Sequence, residues 1–163
     1  DALKNENFEK LKEYHRQTNW KLLLNENVEI KQRGESIALI GIENWGAKMH
    51  FKRYGNLKKA YQGAENQSFK ILLSHDPSHW DAQVRSSYQD IQLTLSGHTH
   101  GMQFGIETKY FRFSPVQWVY KQWAGLYSEA KQYIYVNRGF GFLGYPGRIG
   151  IHPEITLLTL RKG

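Results

Sequence analysis

Histidine is the side chain in this sequence best suited to hold a transition metal or move a proton near neutral pH, and three of the seven stand in similar settings. In LTLSGHTHGMQ, residues 93–103, His98 and His100 are one residue apart, between Gly97 and Gly101, at the end of an apolar run. In KILLSHDPSHW, residues 70–80, His75 follows a second apolar run in the same way. An i, i+2 pair points about 160° apart on a helix but leaves from one side of an extended chain. An extended HxH can therefore serve one metal or two adjacent ones, and the flanking glycines suit a turn whose backbone comes close to an ion. His75 joins the pair if strands 69–74 and 91–96 are neighbours, as consecutive strands of a βαβ unit often are.

Two metal chemistries fit three such histidines. One is a mononuclear zinc site, three imidazoles and a water whose pKa the metal lowers. The other is a dinuclear centre, two cations roughly 3.5–4 Å apart that clamp a phosphoryl group. The second needs carboxylates, normally a bridging aspartate, and Asp76, Asp81 and Asp90 offer no obvious candidate. The chain has no cysteine, so any metal sits on nitrogen and oxygen ligands, and a disulfide or a cysteine nucleophile is excluded. His79 falls at a helix start and reads as exposed or beside a cap. His15, His50 and His152 stand alone and read as surface or core residues.

The elements that must position these side chains follow from the pattern. Residues 1–17 read as a helix with Leu3, Phe8, Leu11 and Tyr14 roughly on one face. Three short β segments are expected at 20–24, 27–32 and 36–42, with turns at 25–27 and 33–35. A loop then leads to a short helix at 56–64 that stops near Gly63. The run FKILLSH is a continuous apolar strand, Pro77 suits the start of a helix, and IQLTLSGH is a second such strand. Residues 131–137 and 154–161 read as further strands, with an aromatic loop, Phe111 to Tyr127, before them. Such alternation argues for an α/β sheet covered on both faces, with ligands at the carboxyl ends of its strands, where His75 and His98 sit.

At 163 residues, 40% apolar and 14% aromatic, the sequence fits one globular domain, residues 1–163. No apolar run approaches the roughly 18 residues that span a bilayer. The net charge of +7 suits a phosphorylated substrate, an anionic membrane surface or nucleic acid, but the basic residues are scattered and no nucleic-acid partner is expected. GFGFLG, residues 139–144, matches GxGxxG, yet Tyr145, Pro146 and Gly147 follow where a helix should open, which excludes a dinucleotide fingerprint. The stretch reads instead as a tight loop near the metal edge, where Arg138 or Arg148 meets a phosphate or forms a salt bridge. The aromatic loop reads as core or domain-contact packing, a lip for a lipid-like substrate, or a membrane-surface contact.

SHDP followed by SGHTHGMQ resembles the C-terminal motifs of the calcineurin-like metallophosphoesterases, and most of all the bacterial membrane-associated branch that carries GHTHGGQ. VNRGFGFLGYPGRIGIHPEITLLTL is similar to that branch's ending, and LLLNENVEI with IALIGIENW to its central β segments. The resemblance implies the C-terminal portion of a two-sheet sandwich flanked by helices. It implies that His75 and His98 are ligands of one metal and His100 of the other, in a centre of two divalent ions, Mn, Fe or Zn. The family's DxH, GDxxD and GNHD motifs, which supply the other ligands and the catalytic histidine, do not occur in these residues. The implied partners are a phosphate-ester substrate and an N-terminal half of the same domain, from a membrane-associated parent. The implied reaction is ester hydrolysis by a metal-activated water, with a histidine of the absent half protonating the leaving oxygen. Three neutral imidazoles split over two sites hold cations poorly, so little hydrolysis is expected of this chain alone. The alternative is a non-catalytic basic binding or scaffold module with vestigial histidines. Met102 stands where the family has a second glycine, which is expected to alter loop packing more than ligation.

Overall fold

The computed structural model describes residues 2–48 and 52–161, so His50 lies outside the described residues. The chain is α/β. Helix α1 (Ala2–Gln17) is followed by β1 (Glu26–Gln32), β2 (Glu35–Gly41), α2 (Leu57–Tyr61), β3 (Lys70–Leu73) and β4 (Leu93–Ser96). Then come β5 (Ile106–Glu107), β6 (Arg112–Phe113), β7 (Gly125–Glu129) and β8 (Gln132–Val136). Six strands form one mixed sheet in the order β1-β2-β3-β4-β8-β7, and β5 and β6 form a small separate ribbon. β2, β3, β4 and β8 run parallel, and β1 and β7 are antiparallel edges. The β1–β2 hairpin turns through Arg33 and Gly34, both at positive φ, as a two-residue turn with the right twist requires.

The continuous apolar runs become the inner parallel strands because both of their faces must leave water. On one face Ala38, Ile40, Leu72, Ile134 and Val136 pack against Leu57 and Ala60 of α2 and against Trp80 and Val84. Trp80–Val84 is a π-helical turn within the helical connection from β3 to β4. The register puts Val28, Leu39, Ile71, Leu93 and Tyr133 together on the opposite face. That face is only partly shielded: Ile30, Leu126 and Tyr133 are 44%, 59% and 45% exposed. Among the described residues no helix packs broadly across it, yet Ile71 and Leu93 at its centre are buried, so this face is shielded at the centre and open at its edges.

Residues 20–24 are not a strand. Asn19 and Asn25 at either end are left-handed, which breaks the extension, and Trp20 is 72% exposed. Residues 154–161 also lie outside any strand: no sheet edge pairs with them, and Ile155 and Leu157 face solvent. Conversely, β7 begins inside the stretch read as an aromatic loop. The rest of that loop divides: Val116, Tyr120, Trp123 and Ala124 bury against Ile151 as a second small core, while Phe111 and Trp118 stay exposed.

Candidate metal centre

β3 and β4 are adjacent and parallel, so their carboxyl ends deliver His75 and His98 side by side. The ladder continues past both strands: Ser74 N donates to Leu95 O at 3.0 Å and Gly97 N to His75 O at 2.9 Å. His98 Nδ1 lies 3.3 Å from His75 Nε2, with the rings edge to face. Two imidazole nitrogens bound at 2.0–2.1 Å to one tetrahedral zinc would stand about 3.3 Å apart, so the pair fits a shared cation as it stands. A Cβ at Gly97 would meet only ordinary contacts, 3.8 Å from His75 Nδ1 and 3.6 Å from Asn137 O, so that glycine is not required by space. Gly101 is at φ +55 and would carry a Cβ 3.0 Å from Ile151, so glycine is needed there.

The GHTHGMQ segment is a left-handed coil. His98, His100, Gly101, Met102 and Gln103 all have φ between +51° and +67°. Such backbone is costly away from glycine and persists only where surrounding bonds over-determine it. Those bonds are present. Thr99 Oγ1 donates to Trp123 O at 2.8 Å, and Ser114 Oγ to Gly101 O at 2.9 Å. The buried Gln103 amide donates to Tyr145 O and Gly147 O, both at 2.7 Å, which fastens the glycine-rich loop to the histidine turn. His100 does not join the His75–His98 pair. Its Nδ1 is buried without a hydrogen-bond partner among the described residues, an uncommon state for a ring nitrogen and one that fits a donor atom awaiting a ligand. Among the described residues no three metal-binding side chains converge into a complete ligand set.

Electrostatics favours neutral imidazoles. Burial first, then neighbouring His98, holds His75 below the ordinary imidazole pKa, and burial followed by Arg148 does the same to His100. Neutral imidazole is the form that binds metals. The two arginines differ. Arg138 is held between Glu107 and Glu154, its Nε 2.8 Å from Glu154 Oε2. Arg148 instead donates to carbonyls: 2.8 Å to Arg138 O and to Gly141 O, and 3.2 Å to His100 O. A cleft of about 360 Å³ opens beside the site, lined by His98, His100, Met102, Val119, Tyr120 and Leu143 among others.

Two residues emerge only in the structure. Asp76, 1% exposed, puts Oδ2 3.8 Å from His98 Nε2 and accepts from Tyr120 OH at 3.3 Å. Its position beside His75 in SHDP was visible, but its rotamer was not. His79, expected to be exposed or near a cap, does stand at the N-cap of the Trp80–Val84 turn but is fully buried, bonded to Ser74 Oγ at 2.9 Å and Gln83 Oε1 at 2.8 Å. It braces the turn that carries His75. Asp81 and Asp90 turn away into ion pairs with Arg85 and Lys70.

No family model matches the chain. No solved structure matches it either. Curated proteins do. The chain is 34% identical over 149 residues to a transmembrane protein with metallophosphoesterase domain from Bos taurus, covering 85% of this chain and 32% of that protein. It is 40% identical over 97 residues to the uncharacterized metallophosphoesterase YkuE of Bacillus subtilis, covering 58% of this chain and 32% of the relative. With the uncharacterized metallophosphoesterase YkoQ of the same organism it shares 28% identity over 158 residues, 95% of this chain and 54% of the relative. The chain thus spans about a third to a half of the length of these relatives. Over much of its length the chain is similar to proteins named metallophosphoesterases.

Proposed function

We propose that the chain is the C-terminal part of a calcineurin-like metallophosphoesterase of the bacterial membrane-associated branch, and that it contributes three histidine ligands to a dinuclear centre that hydrolyses a phosphate ester. His75 and His98 hold one divalent cation and His100 the other. Cations bound there supply Lewis acidity and neutralise charge on phosphoryl oxygens. The observation that carries this reading is the 3.3 Å approach of His98 Nδ1 to His75 Nε2 at the carboxyl ends of adjacent parallel strands.

The chain's own residues then have distinct tasks. His75 and His100, whose pKa values desolvation holds below the ordinary imidazole value, are suited to offer ring lone pairs rather than protons. Arg148 is the better phosphate contact of the two arginines, because it donates to neutral carbonyls, whereas two carboxylates already oppose the charge of Arg138. The open edges of the second face support the reading of a part: further chain packed there would bury Ile30, Leu126 and Tyr133. Among the described residues no helix is long and apolar enough to cross a membrane. The separation of His100 from the other two weighs against a mononuclear three-histidine zinc site.

Metal titration of the purified chain, with hydrolysis of a generic aryl phosphodiester measured alongside, tests the reading. Manganese or zinc uptake is expected and His98→Ala should abolish most of it, while hydrolysis by the chain alone stays near background. No uptake, with His98→Ala indistinguishable from wild type, would favour the non-catalytic binding module. Strong metal-dependent hydrolysis by the chain alone would overturn the reading of a part.

A further inference from the structure

We propose that Asp76 is a positioning residue for His98, fixing the imidazole as the Nε2–H tautomer so that the Nδ1 lone pair faces the cation shared with His75. The proposal rests on His98 being a metal ligand and goes beyond it by assigning a role to a residue outside the ligand set. The two ring nitrogens of His98 face opposite neighbours. Nδ1 is 3.3 Å from His75 Nε2, and Nε2 is 3.8 Å from Asp76 Oδ2. A metal-bound histidine commonly turns its second nitrogen toward a carboxylate, which sets the tautomer and raises ligand basicity.

Asp76 is built for that task. Its Oδ1 is fully engaged locally, accepting from Ser78 N at 2.8 Å and Ser78 Oγ at 2.6 Å. Ser78 Oγ in turn accepts from Ala47 N at 2.8 Å, which ties the turn to the neighbouring loop. Those bonds leave Oδ2 as the atom facing the site, where it meets Tyr120 OH at 3.3 Å. The Tyr120 ring stands edge-on to His98, 5.4 Å between centroids, so one tyrosine braces both partners. The backbone of Gly46 closes the other side, so near that a Cβ there would fall 2.3 Å from Oδ2. Among the described residues no lysine or arginine forms an ion pair with Asp76, and its one such contact is His98. A carboxylate at 1% exposure is costly unless it is hydrogen-bonded or faces positive charge. A cation on His75 and His98 would supply that charge.

At 3.8 Å the Asp76–His98 contact is longer than a direct hydrogen bond, so its influence on the His98 ring is electrostatic. It favours a proton on the near nitrogen. Heteronuclear NMR of the labelled, metal-free chain at mildly alkaline pH reads which His98 nitrogen carries the proton, independently of any metal. Wild type is expected to show Nε2–H, and Asp76→Asn a mixture or the Nδ1–H form. Calorimetric titration with zinc should find Asp76→Asn weaker by about 10- to 100-fold, with unchanged far-UV circular dichroism. Tyr120→Phe, which removes the hydroxyl on Oδ2 but keeps the ring beside His98, should keep the Nε2–H tautomer and lose less zinc affinity than Asp76→Asn. Wild-type His98 found as Nδ1–H overturns the proposal whether or not Asp76→Asn folds. So does an unchanged tautomer with less than about twofold loss of zinc affinity in Asp76→Asn. If wild type takes up no zinc, the metal reading fails while the tautomer measurement still decides the role of Asp76.

Discussion

Met102 holds a left-handed backbone, φ +53°, with its side chain 51% exposed at the cleft mouth. Left-handed geometry costs a residue with a Cβ about 1–2 kcal/mol, and glycine avoids that cost but loses about 0.4–1 kcal/mol through a freer unfolded chain. Met102→Gly is therefore expected to stabilise the fold by about 0.5–1 kcal/mol in denaturant titration, with zinc affinity unchanged. A destabilised variant would mean that Met102 packing outweighs the strain. At this scale the sequence was informative where residue type alone decides. His75, His98 and His100 could be singled out because few other side chains bind metals and because strand ends are where α/β sheets hold ligands. Asp76 and His79 could not be assigned roles, because burial and rotamer depend on Tyr120, Gly46 and Gln83, which are distant in sequence or unremarkable in type.

Among the elements, the stretch after the glycine-rich loop is held by side chains in place of a strand partner. Glu154 takes hydrogen bonds from Tyr135 and Arg138, and Thr156 takes one at 2.8 Å from Asn137. Burial would raise the Glu154 pKa, but the bonds from Tyr135, Arg138 and Thr156 outweigh it and bring the group from the ordinary 4.5 down to about 2. A depressed carboxyl pKa adds stability above its unfolded value and loses it as pH falls toward the folded one. Stability should therefore drop between about pH 4.5 and pH 2, and Glu154→Gln should flatten that part of the melting profile; an unaltered profile would exclude Glu154 as the acid-labile contact. The inner strands β3, β4 and β8 were legible from their unbroken apolar runs. β7 was not, because an edge strand with half-exposed residues such as Leu126 lacks that signature. Residues 154–161 carry a strand-like pattern, but pairing depends on an edge that the local sequence cannot supply.

For the whole molecule, the dominant fact is a six-stranded sheet with helices on one face and apolar residues on the other. Inner parallel strands usually have both faces covered; here Ile71 and Leu93 at the centre of the second face are buried, while Ile30 at one edge and Leu126 and Tyr133 at the other stay exposed, and exposed apolar surface promotes association. The isolated chain should self-associate in sedimentation velocity as concentration rises, and the pair Leu126→Lys with Tyr133→Lys should shift it toward monomer. A monomer at all concentrations would show that the face is adequately shielded by the chain itself. The covered face illustrates what composition and periodicity resolve well: a layer's existence. Which layer lies on the other side is set by residues beyond the pattern of these strands.

The hydrogen bond from Gly97 N to His75 O joins the two candidate ligands through the backbone of the sheet itself. Loading a cation there requires small rotations of two rings and no ordering of chain, so the entropy of assembling the ligand pair has already been lost during folding. Under the proposed ligand assignment, chelation by His75 and His98 would be a rigid-host process, in which discrimination among cations comes from how well each ion's preferred bond length matches a gap the sheet has fixed in advance.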